Sequence, residues 1–219
     1  LRHVIDPVAD MGDSLNPIDK DEIIFLGEEG AIGGMVRLQI IRDELLRTGA
    51  DGWRENEHLD WFESYDRFLD RSGMRASFPM VDDLTRAIGG PMYYFHGRVL
   101  ENTRIGNKVD SYVLNGWASA ATRTDIVDTY RNPTGDAALF KKYTRPLYIA
   151  VKLRQTVLSL GGSTAADIYL VNETNLAGKH RLTVSFTGPE GTPVFNETFE
   201  VTITGGEEFG QLLVEGILL

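Results

Sequence analysis

The chain has 219 residues, enough for one ordinary domain and a smaller second one, and its 22 basic against 32 acidic side chains leave a net charge of −10. That balance repels phosphate backbones and anionic lipid, so no nucleic-acid partner is expected, and no apolar run approaches the roughly 20 residues of a membrane span. With no cysteine, disulfides, iron–sulfur clusters, thiolate zinc sites and a cysteine nucleophile are excluded.

The chain begins at Leu1 with neither methionine nor the basic and apolar stretches of a signal peptide, and reads as a processed product or a piece of something longer. Glu22–Leu26 is a nearly continuous apolar run closed by Gly27, the pattern of a strand buried on both faces in a parallel sheet. From Met35 to Thr48, Leu38, Ile41 and Leu45 recur at helical spacing before Gly49, which predicts an amphipathic helix with a glycine stop. The same period predicts helices over His58–Arg71 and Met92–Asn107. Ser111–Asn115 reads as a second buried strand and Asp136–Tyr143 as a short helix.

Composition changes near Tyr143. All five methionines and all three tryptophans precede it, whereas the segment after Pro146 alternates between apolar and polar residues and is broken by glycine turns. Strands are predicted over Leu147–Leu153, Ala165–Asn172, Arg181–Phe186 and Val194–Ile203, a spacing that suggests a β-sandwich. Period-2 alternation turns Leu147, Ile149, Val151, Ile168 and Leu170 inward, and a last strand or two is expected beyond Leu219.

The sharpest chemical feature is Gly27-Glu28-Glu29-Gly30 at the end of the first strand. In a parallel barrel a carboxylate at that end points into the catalytic cleft, while flanking glycines let a substrate approach the backbone. The pair fits equally a helix start, where acidic residues favour the dipole. Trp117, after the second strand, and Trp53, in the Gly49–Glu57 loop, offer indole faces to a sugar ring, or serve in packing. His3, His58, His96 and His180 lack metal-ligand spacing, and Asp10–Asp13 lacks the alternating acids of a calcium loop. Asn172-Glu173-Thr174 and Asn196-Glu197-Thr198 match glycosylation acceptors, a pattern that arises by chance in Thr-rich strands.

Ile24-Phe25-Leu26-Gly27-Glu28-Glu29-Gly30-Ala31 resembles the strand-seven motif of glycoside hydrolase family 2, with Glu28 on the family's nucleophile and Glu29 on its aromatic position. Arg98–Glu101, Tyr112–Trp117 and Asp125–Pro133 follow in the order of that family's seventh helix, eighth strand and last-helix entry; Pro146–Leu153 through Val171–Thr174 resembles its following β-domain. Departures are Glu29 for an aromatic, Asp125 for Gly and Thr134 for Lys. Thr122–Asp125 also lacks the Asn-x-Lys of β-glucuronidases, which favours a neutral sugar such as galactose or mannose.

The resemblance implies the C-terminal portion of a (β/α)8 (TIM) barrel over residues 1–143 and a truncated immunoglobulin-like β-sandwich over 144–219. It implies part of a retaining exo-β-glycosidase acting on β-linked neutral saccharides, with Glu28 as nucleophile and Glu29 as the alternative. Trp117 and Trp53 would bind substrate, and no cofactor or metal is expected. No Asn-Glu pair precedes Glu28 to supply the family's general acid/base, so the chain alone should be inactive, with Glu101, Asp125 and Asp128 as the carboxylates to reconsider. A barrel segment of this kind should pack with its missing N-terminal part or self-associate. The competing expectation is a non-catalytic carbohydrate-binding or adhesion module.

Overall fold

Leu38, Ile41 and Leu45 are all buried along helix α1 (Leu38–Thr48) in the computed structural model, which describes residues 23–29, 34–114, 117 and 126–219. The helix stops where the sequence places Gly49: its φ of +98° suits a residue without Cβ, and its N–H closes onto the Leu45 carbonyl. Helix α2 (Trp53–Ser72) starts before His58, so Trp53 and its neighbours form a first turn and not a loop. A short 3-10 turn, Met74–Ala76, leads to α3 (Val81–Gly106), which starts well before the expected Met92. Strands β1 (Phe25–Glu29) and β2 (Ser111–Leu114) pair in a two-stranded sheet, and α4 (Ala137–Tyr143) follows. None of the described helices is long and apolar enough to cross a membrane.

The chain divides into two units. One comprises Leu26–Gly97 and Tyr112–Lys142; the other contains Arg98–Ser111 and Tyr143–Leu219, with residues 23–25. In the first, Val36, Leu38, Ile41, Leu45, Phe62, Leu69, Val81 and Leu84 form one core, so the apolar stripes of α1, α2 and the start of α3 are spent on each other. Arg42 lies over the Phe62 ring at 4.8 Å from its centroid. In α3, Pro91 brings no N–H for the Ala87 carbonyl, and Gly89 lies against the 134–135 backbone, where a Cβ would come within 1.8 Å of the Thr134 oxygen.

The second unit is built on an antiparallel sheet in the order β3 (Leu147–Leu153), β4 (Ala165–Asn172), β7 (Gly210–Leu218). A hairpin, β5 (Gly178–Thr187) with β6 (Pro193–Ile203), covers one face: Val184 joins Ala166, Ile168 and Ile217, with Leu182, Phe186, Phe195 and Phe199 packed around them. On the opposite face, Tyr148, Ala150 and Val171 pack on Ile105 of α3. Arg104 fixes the entry to β3. Its guanidinium donates to the carbonyls of Tyr143 (2.6 Å) and Arg145 (2.7 Å) and to Glu173 Oε1 (3.0 Å), and lies over the Tyr148 ring.

Three expectations are corrected. No portion of a (β/α)8 barrel is present among the described residues: one pair of strands makes no barrel wall, and the helices pack on one another through a common core instead of each covering a strand. Nor is the apolar run before Gly27 buried on both faces, since Ile23 and Phe25 within it are exposed, and Val113 of β2 is exposed as well. The β unit is a three-stranded sheet with a two-stranded hairpin, not an immunoglobulin-like sandwich. A further strand that the sequence reading did not place, β7, lies within the chain.

Along β3 the alternation is real, but its consequence differs. Leu147, Ile149 and Val151 share a face with Ile168 and Leu170, as the pairings Ile149↔Leu170 and Val151↔Ile168 require. Ile168 and Leu170 are buried, whereas Ile149 is 40% exposed on the edge strand β3, where only Leu153, at the far end of the strand, packs with the hairpin's cluster. At β4–β7 the register shifts around Asp167, and the carboxylate there accepts the Gly216 N–H at 2.7 Å and a two-point contact from Arg154.

Ile168→Asp buries an unpaired charge and should destabilise by about 3–5 kcal/mol, whereas Ile149→Asp, on the same face but at the open edge, should change stability by about 1 kcal/mol. Urea melts of the two variants check this; equal losses would mean that the hairpin covers β3. Gly89→Ala would gain about 1 kcal/mol of helix propensity but meets a backbone oxygen that cannot swing away, so a net loss of about 1–3 kcal/mol is expected in the same melts. The Arg154 contact holds Asp167 below its usual 3.8. The stabilisation is therefore complete above about pH 5 and disappears as the pH falls through the lowered folded value. Asp167→Asn should flatten the acid limb of a melting-temperature profile between about pH 5 and 2.

Candidate functional site

The start of β1 is tied to the start of β2. Ile24 N–H donates to Asp110 Oδ2 at 2.8 Å, and the N–H groups of Asp110 and Ser111 donate to the Ile24 carbonyl at 3.0 and 3.3 Å. Two hydrogen-bonded strands that begin side by side run in the same direction, and the connection of helices between them is the kind that parallel pairing requires. The backbone of Glu28 and Glu29 therefore closes β1 at the same end as Leu114 closes β2. The side chains of Glu28 and Glu29 lie outside the described residues, as do Asp125, His3 and the Asp10–Asp13 segment.

Trp117 is 54% exposed, and its carbonyl accepts the Val127 N–H at 3.0 Å. Trp53 is 72% exposed on the first turn of α2, with the Arg54 guanidinium 5.4 Å from its ring centroid. Among the histidines, His58 and His96 are buried. His58 Nδ1 is 2.7 Å from the Arg54 carbonyl, and its ring meets Trp61 and Tyr130 edge-on at 5.9 Å each. Among the described residues no group of histidines and carboxylates could hold a metal ion. Asn172 is buried, its side chain holding Thr174 and Leu176, which leaves no room for a glycan at that acceptor motif.

Two of the reserve carboxylates are already committed. Glu101, buried on α3, is ion-paired with Arg98 one turn away, and Arg98 also donates to the Val151 carbonyl at 3.2 Å. Asp128 is fully buried. Its Oδ1 accepts the N–H groups of Tyr130 and Asn132, both at 2.9 Å, and its carboxylate takes the Asn132 side-chain amide at 3.0 and 3.2 Å. The Arg37 N–H reaches its Oδ2 at 3.4 Å. Neither carboxyl is available to protonate a leaving group.

The Asp128 contacts hold residues 128–132 in one conformation, including Arg131 at φ +68°, a left-handed value unusual for a residue with Cβ. Arg37 completes the fastening: its guanidinium makes a two-point ion pair with Asp82 at 2.5 and 2.7 Å and donates to the Pro133 carbonyl at 2.9 Å. Tyr130 and Asn132 are thereby presented to α1, where with Ile40, Ile41, Asp43 and Glu44 they line a cleft of about 420 Å³. Burial, with Glu55 and Asp128 nearby, raises the Tyr130 hydroxyl above its ordinary value. Sequence reading passed over this cleft, although an Asp followed by backbone N–H groups at i+2 and i+4, just before a proline, is a local sign of a stapled loop.

No protein-family model, curated protein or solved structure matches the chain.

Removing the Asp128 carboxylate strands several buried N–H groups at once. Asp128→Ala should therefore destabilise the chain by about 2–4 kcal/mol, and Asp128→Asn, which keeps one acceptor oxygen, by less. Chemical denaturation of both variants checks the order.

Proposed function

We propose that this chain acts on β-linked neutral saccharides as part of a retaining exo-β-glycosidase, with Glu28 as the nucleophile. The observation that carries the reading is the juxtaposition of two motif segments. The segments Ile24–Ala31 and Tyr112–Trp117 resemble consecutive strand ends of glycoside hydrolase family 2, and their described parts, through Glu29 and through Leu114, belong here to neighbouring strands that begin side by side. In retaining chemistry one carboxylate attacks the anomeric carbon to form a glycosyl ester while a second carboxylic acid, about 5–5.5 Å away, protonates the departing oxygen; water then releases the sugar with the second group acting as base. Glu28 supplies the first group. The structural commitments of Glu101 and Asp128 leave the second role to another carboxyl.

A binding-only module is the second reading, favoured by the outward-facing indoles of Trp117 and Trp53, which suit the apolar face of a pyranose without any reacting carboxylate.

A 2-deoxy-2-fluoro-β-glycosyl fluoride separates the two, because fluoride departs without help from a general acid and the fluorinated glycosyl ester persists. Intact-mass measurement and peptide mapping should find the galactosyl or mannosyl reagent attached to Glu28. Attachment at Glu29 would overturn the assignment of the nucleophile. Saccharide binding with no attachment would favour the binding-only module. Nitrophenyl β-galactoside and β-mannoside should show no turnover by the chain alone, since loss of a general acid removes about 10²–10⁴ in rate.

A further inference from the structure

We infer that the cleft between α1 and the Asp128-stapled loop is a saccharide subsite, with the Tyr130 ring and Ile40 forming its apolar contact and Asn132, Asp43 and Glu44 taking ligand hydroxyls. This inference rests on the glycosidase reading for the choice of ligand, while its geometry is independent of Glu28. At about 420 Å³ the cleft falls within the 300–1,000 Å³ of small-ligand pockets.

Its polar groups are mostly acceptors. The Asn132 side-chain N–H₂ is occupied by Asp128, which leaves its Oδ1 to accept, and the two carboxylates can only accept. Such a lining selects a ligand carrying several donors. Arg42 at 2.8 Å and the Gln39 amide contact Asp43, and Arg47 makes a two-point contact with Glu44, so the carboxylates are balanced in charge, a cationic ligand is not required, and only their remaining lone pairs are open to ligand hydroxyls. A neutral polyol with one apolar face meets the remaining demands, and that is the chemistry of a pyranose: hydroxyl donors around its rim and C–H groups on its face. The loop is also organised in advance. Asp128 is buried and its contacts hold Arg131 in a left-handed conformation, so the ordering that binding would otherwise require is already built into the fold.

The test is calorimetric titration of the chain with methyl β-galactoside and methyl β-mannoside, alongside Tyr130→Ala and Ile40→Glu. Ile40 is a surface position, so its variant keeps the fold if Tyr130→Ala does not, and circular dichroism monitors both. The expected result is saccharide binding weakened at least about tenfold by either folded variant. Unchanged affinity in both variants would overturn the subsite. So would absence of binding by the parent chain; if Glu28 is still labelled by the fluoro glycoside in that case, the glycosidase reading stands while the subsite falls. Binding that depends on Tyr130 without any label on Glu28 sustains the subsite and removes the nucleophile.

Discussion

A carboxylate taken fully out of water destabilises a fold by several kcal/mol unless donors surround it, and Asp128 is surrounded by donors from its own loop and from the residue preceding α1. The local architecture of the helical unit follows from that demand. Arg37 brings its N–H to Asp128 and its guanidinium to Asp82 and the Pro133 carbonyl, so the entry to α1, the first turn of α3 and the 128–133 loop are set by one connected group of charges. Tyr93 adds a hydrogen bond to the Ile126 carbonyl, just before the loop. Gly89 and Gly135 let backbones meet without intervening side chains. The cleft beside Tyr130 and Asn132 is a by-product of this fastening, and its shape is as firm as the network beneath it.

The β unit solves a different problem. A three-stranded sheet has two faces to cover, and it covers them unequally: a hairpin on one side, the end of α3 on the other. Arg104 keeps the second contact in register by gathering the carbonyls where α4 gives way to β3. Asn107 does the same at β7, where its side chain exchanges hydrogen bonds with the Gly210 backbone; there a Cβ would collide with the Ile105 backbone. Polar side chains thus determine which strands lie over the helix, and apolar ones supply the burial.

This division of labour bears on function. Glu101 and Asp128, conspicuous in sequence as possible acids, are consumed by structure, one by Arg98 and the other by a loop. A carboxylate enclosed by donors or paired in the interior serves the fold before it can serve chemistry. Exposed aromatics follow the same logic, since Trp53 and Trp117 are not needed to fill a core.

Local periodicity was legible from residues alone. Leu38, Ile41 and Leu45 mark a helix because an apolar stripe at that spacing has one buried face, and Gly49 ends it because its backbone angle excludes other residues. Alternation likewise identified the positions of β3, β4, β5 and β6. It failed at β7, whose alternation is interrupted by the Gly216 bulge, and at the start of α2, where Gly52 and polar neighbours resemble a loop. What alternation states is which residues share a face. Whether that face is covered is decided by how far the partner sheet extends, so Ile168 is buried and Ile149 is not, although both lie on one side of the same sheet. The failed barrel has the same origin. A βα pattern specifies strands followed by helices, but only the packing of α1, α2 and α3 on one another determined that their apolar stripes would face a common core and not a ring of strands.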